Sequence, residues 1–396
     1  MKPGYKQTEV GVIPEEWEVK SMDSLTSLMT NGFVGTATSA YVNGDDGVLY
    51  IQGYNVQESG FDFHGIKRVS KSFHARNQKS CLREGDLLTI QTGDIGVTTI
   101  VPPELVGANC HALVISRFIK RTSDPRFYCQ YFNSERGRAK FKEIETGSTM
   151  KHLNVGDMKP LLLPSPPVEE QRAIASALSD VDALLGALDR LIDKKRDLKQ
   201  AAMQQLLTGQ TRLPGFHCEW EVKRLGDVLT ICHGRNQREV QVEDGAYPIL
   251  ATGGQIGKAS HYLCDKPSVL IGRKGTIDQP QYMDTPFWTV DTLFYSALRD
   301  SNNAKFFFYR FCLIDWKQHN EASGVPSLNA RTIENITVIC PKPAEQAAIA
   351  EVLTDMDVDL AALEQQREKT SALKQGMMQE LLTGKTRLIL PKESHA

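Results

Sequence analysis

Two short apolar runs of this sequence each end in a loop that carries polar or basic side chains and a glycine. Residues 86–90 lead into Gln-Thr-Gly at 91–93, and residues 268–272 lead into Arg-Lys-Gly at 273–275. Glutamine, arginine and lysine can read the edges of bases, whereas positive charge and free backbone N–H groups bind phosphate. We therefore predict DNA contacts at Gln91, Thr92, Gly93, Arg273, Lys274 and Gly275.

A second pair of polar loops lies nearer the start of each half, at residues 31–38 and 233–238, and a weaker candidate follows at residues 151–152. For any single residue of these loops, a solvated turn is the alternative interpretation. As a set they add the predicted DNA-binding residues Thr36, Thr38, Lys151, His152, His233, Arg235, Asn236, Gln237 and Arg238.

Motifs that would make this chain an enzyme are missing from its sequence. The run Thr383-Gly384-Lys385-Thr386 resembles part of a phosphate-binding loop, but Gln379 stands where that motif requires a glycine. No NPPY, DPPY or NPPF run is present, so the usual adenine pocket of an amino-methyltransferase is not written here. We predict no catalytic residue and no cofactor bound by this chain.

The overall composition excludes several other classes of protein. The eight cysteines form no CxxC pair, which favours reduced thiols and no metal site. The sequence holds 46 basic against 48 acidic residues, so it does not indicate general coating of DNA, although a local basic face would suffice for specific recognition. Neither a membrane-spanning apolar run nor a signal peptide is evident, and we expect a cytoplasmic protein without a membrane partner.

The loops belong to a sequence that contains two copies of a long helical segment. The two copies, ending at Leu213 and Leu388, superpose without a gap at an offset of 175 residues, so that Gln171 falls on Gln346. Both copies open with prolines and acidic residues and close with LLTG, which are the start and stop signals of helices. About 40 residues lie between these signals, which corresponds to roughly 60 Å of helix.

Apolar residues recur along both copies at a spacing near 3.5, which is typical of a coiled coil. The spacing allows parallel or antiparallel packing, and two unrelated core helices are the alternative. The first copy has Ile174, Ala177, Leu178, Val181, Leu184, Leu185, Leu188, Leu191, Ile192 and Leu198. The second has Ile349, Val352, Leu353, Met356, Leu360, Leu363, Leu373, Met377 and Leu381.

The regions before the two helices also resemble each other, as in the repeated Trp-Glu-Val-Lys at 17–20 and 220–223. Short Val, Ile, Leu and Tyr runs between Gly, Pro and Asn indicate mixed α/β heads, with helices expected at Asp124–Glu145 and Asn303–His319. We predict an α+β protein with two pseudo-symmetric heads and two long helices packed as a coiled coil. The predicted segments are head 1 (1–165), helix 1 (166–213), head 2 (214–340), and helix 2 with a C-terminal tail (341–396).

The doubled pattern resembles that of a known family. It comprises residues 153–154, a short apolar run, residues 166–171, the Ala-Ile-Ala triplet at 173–175 and LLTGQTRL at 206–213, and its second copy repeats it. This pattern is similar to that of the specificity subunit of Type I restriction-modification enzymes. The resemblance covers essentially the whole chain, including the opening IPEEWEVK at 13–20.

The resemblance implies a function for each part of the chain. Each head would be a target-recognition domain that reads one half of a split, asymmetric site in double-stranded DNA, and the helices would set the gap and dock the methyltransferase subunits. The subunit itself would not be catalytic. Its partners would be two adenine methyltransferase subunits, which use S-adenosylmethionine, and restriction subunits with translocase activity, which use ATP and Mg²⁺.

Two other classes of protein compete with this interpretation. A self-contained DNA methyltransferase or nuclease would need a catalytic motif that the sequence lacks. A coiled-coil adaptor that binds only protein would leave the two divergent heads without a purpose.

Overall fold

The computed structural model describes residues 3–148 and 151–388. The chain divides into two compact units: unit 1 comprises residues 1–189 and 366–396, and unit 2 comprises residues 190–365. This division cuts each long helix, so the predicted boundaries between heads and helices stay a prediction. The end of the predicted tail, residues 389–396, lies outside the described residues.

Unit 1 combines short strands with short helices and contains the start of the first long helix. Its strands are β1 (Tyr5–Thr8), β2 (Gly11–Pro14), β3 (Glu18–Ser21), β4 (Thr26–Asn31), β5 (Val48–Ile51), β6 (Val56–Gln57), β7 (Gly60–Phe61), β8 (Lys67–Val69), β9 (Leu87–Ile90), β10 (Thr98–Ile100), β11 (Asn109–Cys110), β12 (Leu113–Phe118) and β13 (Leu162–Ser165). Its helices are α1 (Met22–Leu25), α2 (Lys71–Arg76), α3 (Pro125–Asn133), α4 (Glu135–Ile144), α5 (Val155–Met158) and the start of α6 (Val168–Leu207). Single 3₁₀ turns lie at Thr38–Ala40, Gly53–Asn55, Gln78–Ser80 and Pro103–Leu105.

Unit 2 has a similar series of elements. Its strands are β14 (Glu221–Arg224), β15 (Leu229–Cys232), β16 (Tyr247–Ala251), β17 (Gly254–Ala259), β18 (Ser268–Gly272), β19 (Gln281–Met283), β20 (Trp288–Thr289), β21 (Leu293–Leu298) and β22 (Thr337–Cys340). Its helices are α7 (Leu225–Val228), α8 (Ala304–Cys312), α9 (Ala330–Glu334) and the start of α10 (Pro343–Leu381), with a 3₁₀ turn at Trp316–His319.

The sheets of the two units share one topology. Unit 1 has a four-stranded sheet in the order β10-β9-β12-β4, and unit 2 has β19-β18-β21-β15. Each unit adds a three-stranded sheet with one parallel pair, β11 with β5 and β20 with β16. The strands β9 and β18 are buried along their whole length, because helices pack on one face of each strand and residues of the three-stranded sheet and its loops pack on the other. Burial on both faces is why both strands read as apolar runs. The repeated head is therefore present in the fold as well as in the sequence.

The two long helices pack antiparallel within each unit. Ion pairs between them join residues whose numbers rise along α6 and fall along α10, which distinguishes antiparallel from parallel packing. The pairs are Asp182–Lys374 (2.7 Å) and Asp189–Arg367 (2.6 Å) in unit 1, and Arg196–Glu364 (2.6 Å) and Lys199–Asp357 in unit 2.

Only part of the predicted apolar stripe is buried between these helices. Ile174, Leu178, Leu188 and Ile192 on α6 are at most 5% exposed, whereas Leu198 is 50% exposed. A pair of helices covers one narrow face of each, so apolar residues outside that face stay in contact with solvent. The prediction was wrong for the seam positions that the structure leaves exposed, which are Leu184, Leu191, Leu198, Val352 and Leu373.

Each head contains a broken helix where the sequence suggested a single one. The expected helix at Asp124–Glu145 is interrupted at Ser134, which ends α3 and whose hydroxyl accepts a hydrogen bond from the N–H of Gly137 at the start of α4. The expected helix at Asn303–His319 ends as α8 at Cys312 and is followed by a separate 3₁₀ turn. A serine side chain that caps the start of a second helix favours a break in the first helix. The spacing of apolar residues does not reveal such a break.

A buried carboxylate holds the start of each long helix against its head. In unit 1, Arg387 donates two hydrogen bonds to Glu170 (2.5 and 2.8 Å), and the indole N–H of Trp17 donates a third (3.0 Å). We call Trp17, Glu170 and Arg387 the first socket. In unit 2 the second socket is made in the same way by Trp220, Glu345 and Arg212, with Arg212 bound to Glu345 at 2.6 and 2.7 Å.

Glutamines of the repeated motif complete these joints. Gln171 accepts a hydrogen bond from the N–H of Asp124 at the start of α3 and donates to the carbonyl of Pro166, both at 2.8 Å. Gln346 makes the same two bonds with Asn303 and Pro341, at 2.9 and 3.0 Å. The residues that make the repeat recognisable in the sequence therefore join the heads to the helices and are not positioned to contact a ligand.

In the part of the chain that the structure describes, no helix is long and apolar enough to cross a membrane.

Candidate nucleic-acid interface

Three loops of unit 2 meet at one edge of its four-stranded sheet. His233 follows β15, Arg273 and Lys274 follow β18, and the loop before α9 contributes Ser327 and Asn329. These side chains line a cavity of about 180 Å³ together with Glu321. The sequence placed His233 and the Arg273 loop in separate groups, and the fold brings them together.

Backbone hydrogen bonds fix the position of the Arg273 loop. The carbonyl of Arg273 accepts from the N–H of Leu328, and the N–H of Gly275 donates to the carbonyl of Pro326, both at 2.9 Å. Gly275 has φ +89°, a conformation that side chains with a Cβ rarely adopt. Because the backbone is held in this way, the Arg273 and Lys274 side chains project from a defined turn.

Unit 1 repeats this arrangement with different side chains. The carbonyl of Gln91 accepts from the N–H of Leu153 at 3.0 Å, and Gly93 has φ +90°. The loop that contains His152 is closed by hydrogen bonds between Thr146 and His152, as Glu321 and Ser327 close the corresponding loop of unit 2. The predicted residues of the Gln91 loop and of the Lys151-His152 loop are therefore neighbours.

A glycine forms the floor of the first polar loop in each unit. A Cβ added to Gly32 would lie 2.6 Å from the carbonyl oxygen of Cys110, and one added to Gly234 would lie 2.0 Å from that of Val290. The backbone N–H of the next residue donates a hydrogen bond of 2.8 Å to the facing segment in both units, from Phe33 to the carbonyl of Cys110 and from Arg235 to that of Thr289. Phe33 is thus the structural equivalent of Arg235 at the sheet edge.

The two interfaces differ in charge. In unit 2, Arg235, Arg238, Arg273 and Lys274 form no ion pair with a carboxylate of the described residues. In unit 1 the Gln91 loop is uncharged up to Asp94, and Lys151 forms an ion pair with Glu145 at 2.9 Å. Unit 2 can therefore attract phosphate directly from its recognition loops, through Arg235, Arg238, Arg273 and Lys274.

Hydrogen-bonding groups without partners lie at the sheet edge of unit 1. The side-chain oxygens of Asn31 and Gln91 are buried and have no hydrogen-bond partner among the described residues. Ala112 directly precedes β12, the strand between β9 and β4, and has φ +46°, a strained conformation for alanine. Turning the amide of Gln91 toward a base would break no hydrogen bond of its oxygen, and glutamine and asparagine can bind adenine through two hydrogen bonds.

Burial favours the neutral form of a neighbouring histidine. Burial lowers the pKa of His111, whose Nδ1 lies 2.9 Å from the hydroxyl of Tyr50. The His111 ring belongs to a cluster with the rings of Phe33 and Tyr50. This part of unit 1 is suited to hydrogen bonding and stacking rather than to charge attraction.

The remaining predicted residues lie on the first polar loop of each unit. Thr36 and Thr38 are exposed on the loop that leads to β5, and Asn236 uses its side-chain oxygen to accept from the N–H of Arg238 at 3.0 Å. Gln237 is half-buried, and its carbonyl accepts from Gln241 at 2.8 Å. Their contact with DNA stays a prediction.

The hairpin of β16 and β17 is a candidate element that sequence reasoning did not include. Its turn residue Thr252 packs 3.1 Å from the position of a Cβ on Gly272, beside the Arg273 loop. Gln255 and Lys258 are exposed on β17. A two-stranded ribbon fits the major groove of DNA. The Gly-Gly pair at 253–254 between two apolar runs is the signal that could have identified this hairpin.

A metal centre is not formed by the parts of the chain described here: residues 3–148 and 151–388 contain no group of three or more His, Cys, Asp or Glu side chains that could hold an ion. All eight cysteines are free thiols.

Comparison with known proteins identifies the family. The family described as the Type I restriction modification DNA specificity domain matches residues 14–194 and again residues 218–371. The chain belongs to this family. It carries two copies of the specificity domain, as the doubled sequence pattern predicted.

Relatives of the specificity family match over nearly the whole chain. The MjaIX specificity subunit of a Type I restriction enzyme from Methanocaldococcus jannaschii is 23% identical and covers 85% of this chain and 86% of its own. The MjaX protein of the same organism, also named for a Type I specificity subunit, is 24% identical over 97% of both chains. The crystal structure of the S subunit of a Type I system from M. genitalium superposes with a TM-score of 0.64 at 18% identity, covering 96% of this chain and 99% of its own.

These similarities confirm two of the predictions made from sequence. The family assignment is correct, and the α+β fold with two repeated heads and two long helices is that of the specificity subunits. The DNA-binding residues within the fold stay predictions.

Proposed function

We propose that this chain is a non-catalytic specificity subunit whose two units each read one half of a bipartite, asymmetric DNA site. The observation that carries this proposal is the pair of equivalent loops at the same sheet edge in both units. Gln91 and Thr92 occupy the positions that Arg273 and Lys274 occupy in unit 2. A shared scaffold with different side chains would read two different sequences.

The proposal includes partners that carry out the chemistry. Two adenine methyltransferase subunits would bind S-adenosylmethionine, and restriction subunits would use ATP and Mg²⁺, all in the cytoplasm. The long helices would dock the methyltransferase subunits. Supporting this, Leu191 and Leu198 of α6 are 40% and 50% exposed and lie seven residues apart on one helix face, where a partner helix would cover them.

Mapping of N6-methyladenine in host DNA tests the function directly. With the gene present, we expect methylation at one bipartite motif, and deletion of the gene should remove methylation at that motif alone. The assembled complex should bind duplex DNA with an affinity that falls steeply as salt rises. Unchanged methylation after deletion would contradict the proposal, and methyl transfer by the purified chain alone would show an enzyme instead.

We also propose that α6 and α10 set the length of the undefined spacer between the half-sites. Insertion of one heptad after Leu188 and another after Leu363 keeps the apolar seam in phase. Each helix then grows by about 10 Å, which equals about three base pairs of duplex. We expect methylation mapping to show the same half-sites with a longer spacer, by at most three base pairs.

The control for this experiment is an insertion of two or three residues, which shifts the seam out of phase and should weaken the complex. An active heptad variant with an unchanged spacer would show that the helices do not determine the distance.

A further inference from the structure

A basic segment of unit 1 lies outside every loop that the sequence motifs identified. Residues 67–79 contain five Lys and Arg side chains and one histidine, and no acidic side chain. They form β8, the short helix α2 and the 3₁₀ turn that follows it. Ser70 caps α2 by accepting a hydrogen bond from the N–H of Phe73 at 3.2 Å, so the segment has a defined structure.

Aromatic packing places α2 beside the candidate interface. Phe73 is 6% exposed, and its ring lies 4.8 Å from that of Phe33 and 5.9 Å from that of Tyr50. His74 is hydrogen-bonded to the side chain of Asn109, at 2.5 Å. Because Phe33 occupies the sheet edge next to Gly32, these contacts fix α2 at the flank of that edge.

Three cations on α2 and on the 3₁₀ turn after it are available to a ligand, and Lys67 on β8 is exposed as well. Lys71, Arg76 and Lys79 are exposed, and no carboxylate among the described residues lies within ion-pair distance of them. Arg76 makes one long hydrogen bond, to the carbonyl of Ser72 at 3.3 Å. Arg68, in contrast, is engaged by Asp45 at 3.2 Å and is left out of the set.

Unit 2 has no counterpart of α2. The interval between β16 and β18 contains β17 and a loop, and no helix. That unit instead carries Arg273 and Lys274 on its recognition loop, where unit 1 has the uncharged Gln91 and Thr92. Each unit therefore presents basic side chains near its sheet edge, but from different elements.

We propose that α2 of unit 1 and the 3₁₀ turn after it bind the phosphate backbone of DNA beside the first half-site, through Lys71, Arg76 and Lys79. The inference rests on the proposed function and adds to it a site that holds DNA without reading its sequence. Phosphate contacts position a protein on the duplex, whereas base contacts specify the site. Here α2 supplies the first role, and the Gln91 loop is left to supply the second.

The test is a triple variant, K71Q/R76Q/K79Q, of the full chain assembled with its methyltransferase subunits. Binding is measured over a range of salt concentrations on two duplexes, one with the bipartite site and one with a scrambled sequence. Each phosphate contact contributes about 0.9 to the slope of log K against log salt. We expect the slope to fall by about 2 to 3 and affinity for both duplexes to fall by the same factor.

Two further variants control for position and packing. K120Q/R121Q removes exposed basic residues that follow β12, at the opposite end of the sheet from Gln91, about 20 Å away along the strand. It should leave the slope unchanged. K71R/K79R keeps the charge and should bind like the wild type, whereas equal weakening by this variant would attribute the effect to disturbed packing and overturn the inference.

Two outcomes of the triple variant contradict the inference while the proposed function stands. A slope equal to that of the wild type would show that α2 does not face DNA. A loss confined to the duplex with the bipartite site would make these residues readers of sequence. If the wild-type complex itself shows no salt-dependent binding to duplex DNA, the proposed function fails instead.

Discussion

Replacement of Arg387 by methionine should lower the free energy of unfolding of unit 1 by about 3 kcal/mol. The change leaves the carboxylate of Glu170, whose side chain is 1% exposed, buried without its cation. Removal of one partner of a buried ion pair costs about 3–5 kcal/mol. We take the lower end because the Arg387 side chain is 15% exposed and water can partly replace the guanidinium.

Urea unfolding followed by tryptophan fluorescence and by hydrogen exchange at the start of α6 measures this effect. Trp17 is the single tryptophan of unit 1 and belongs to the first socket. The other three tryptophans lie in unit 2, so hydrogen exchange at the start of α6 assigns the loss to unit 1. The double variant E170Q/R387M should lose less stability than the two single changes added together, because neither then leaves a charge unpaired.

The matched control is R367M, which breaks the ion pair with Asp189 in the same unit. Both side chains of that pair are 48% exposed, so solvent screens their attraction and the midpoint of unfolding should not move measurably. If R387M destabilises the protein no more than R367M, the first socket does not hold the helix to the head.

The second large effect is expected at the recognition loop of unit 2. Replacement of both Arg273 and Lys274 by alanine should reduce discrimination at one half of the DNA site and leave the other half unaffected. A base contact is worth about 1–3 kcal/mol, and its loss relaxes the sequence requirement at that position. Binding to duplexes randomised in one half at a time measures the two halves separately.

The reciprocal change, Gln91 and Thr92 to alanine, should affect only the opposite half. A useful control is R299A: Arg299 is exposed after β21, at the far end of that strand from the Arg273 loop, and donates to the hydroxyl of Thr230 at 3.2 Å. It should leave recognition of both halves intact. Equal loss on both halves from either loop variant would indicate that the loops serve assembly.

The long helices were the most predictable part of this fold. Their caps, period and polar residues are local signals written twice, and the two copies support each other. The sockets explain why: Glu170 and Glu345, and Gln171 and Gln346, are retained in both copies because each makes the same buried hydrogen bonds. A polar residue that recurs in both copies thus indicated a contact between head and helix, although the sequence did not show which residue of the head it contacts.

The elements around the interface were harder to predict because they depend on contacts between distant residues. The helix α2 has no counterpart in the second half, and its position follows from Phe73 packing on Phe33, 40 residues earlier. Ser134 is both the last cap of α3 and the first cap of α4, so the helix breaks there although the apolar pattern continues. Periodicity also could not show which apolar positions of α6 face solvent, since Leu184 and Leu188 both fit a helical stripe.

Both ends of each head lie side by side. Strand β3 at the start of the first head pairs with β13 at its end, with Glu18 opposite Ser165, and β14 pairs with β22 in the second head, with Glu221 opposite Cys340. The chain thus enters and leaves each head through one pair of adjacent strands, and an equivalent socket lies next to each pair. Exchange of the residues between these strands would replace the recognition loops of one unit, while the first and second sockets, whose residues all lie outside the exchanged segments, would keep their partners. A new half-site would therefore be expected from exchange of one whole head, which replaces all of its recognition loops at once.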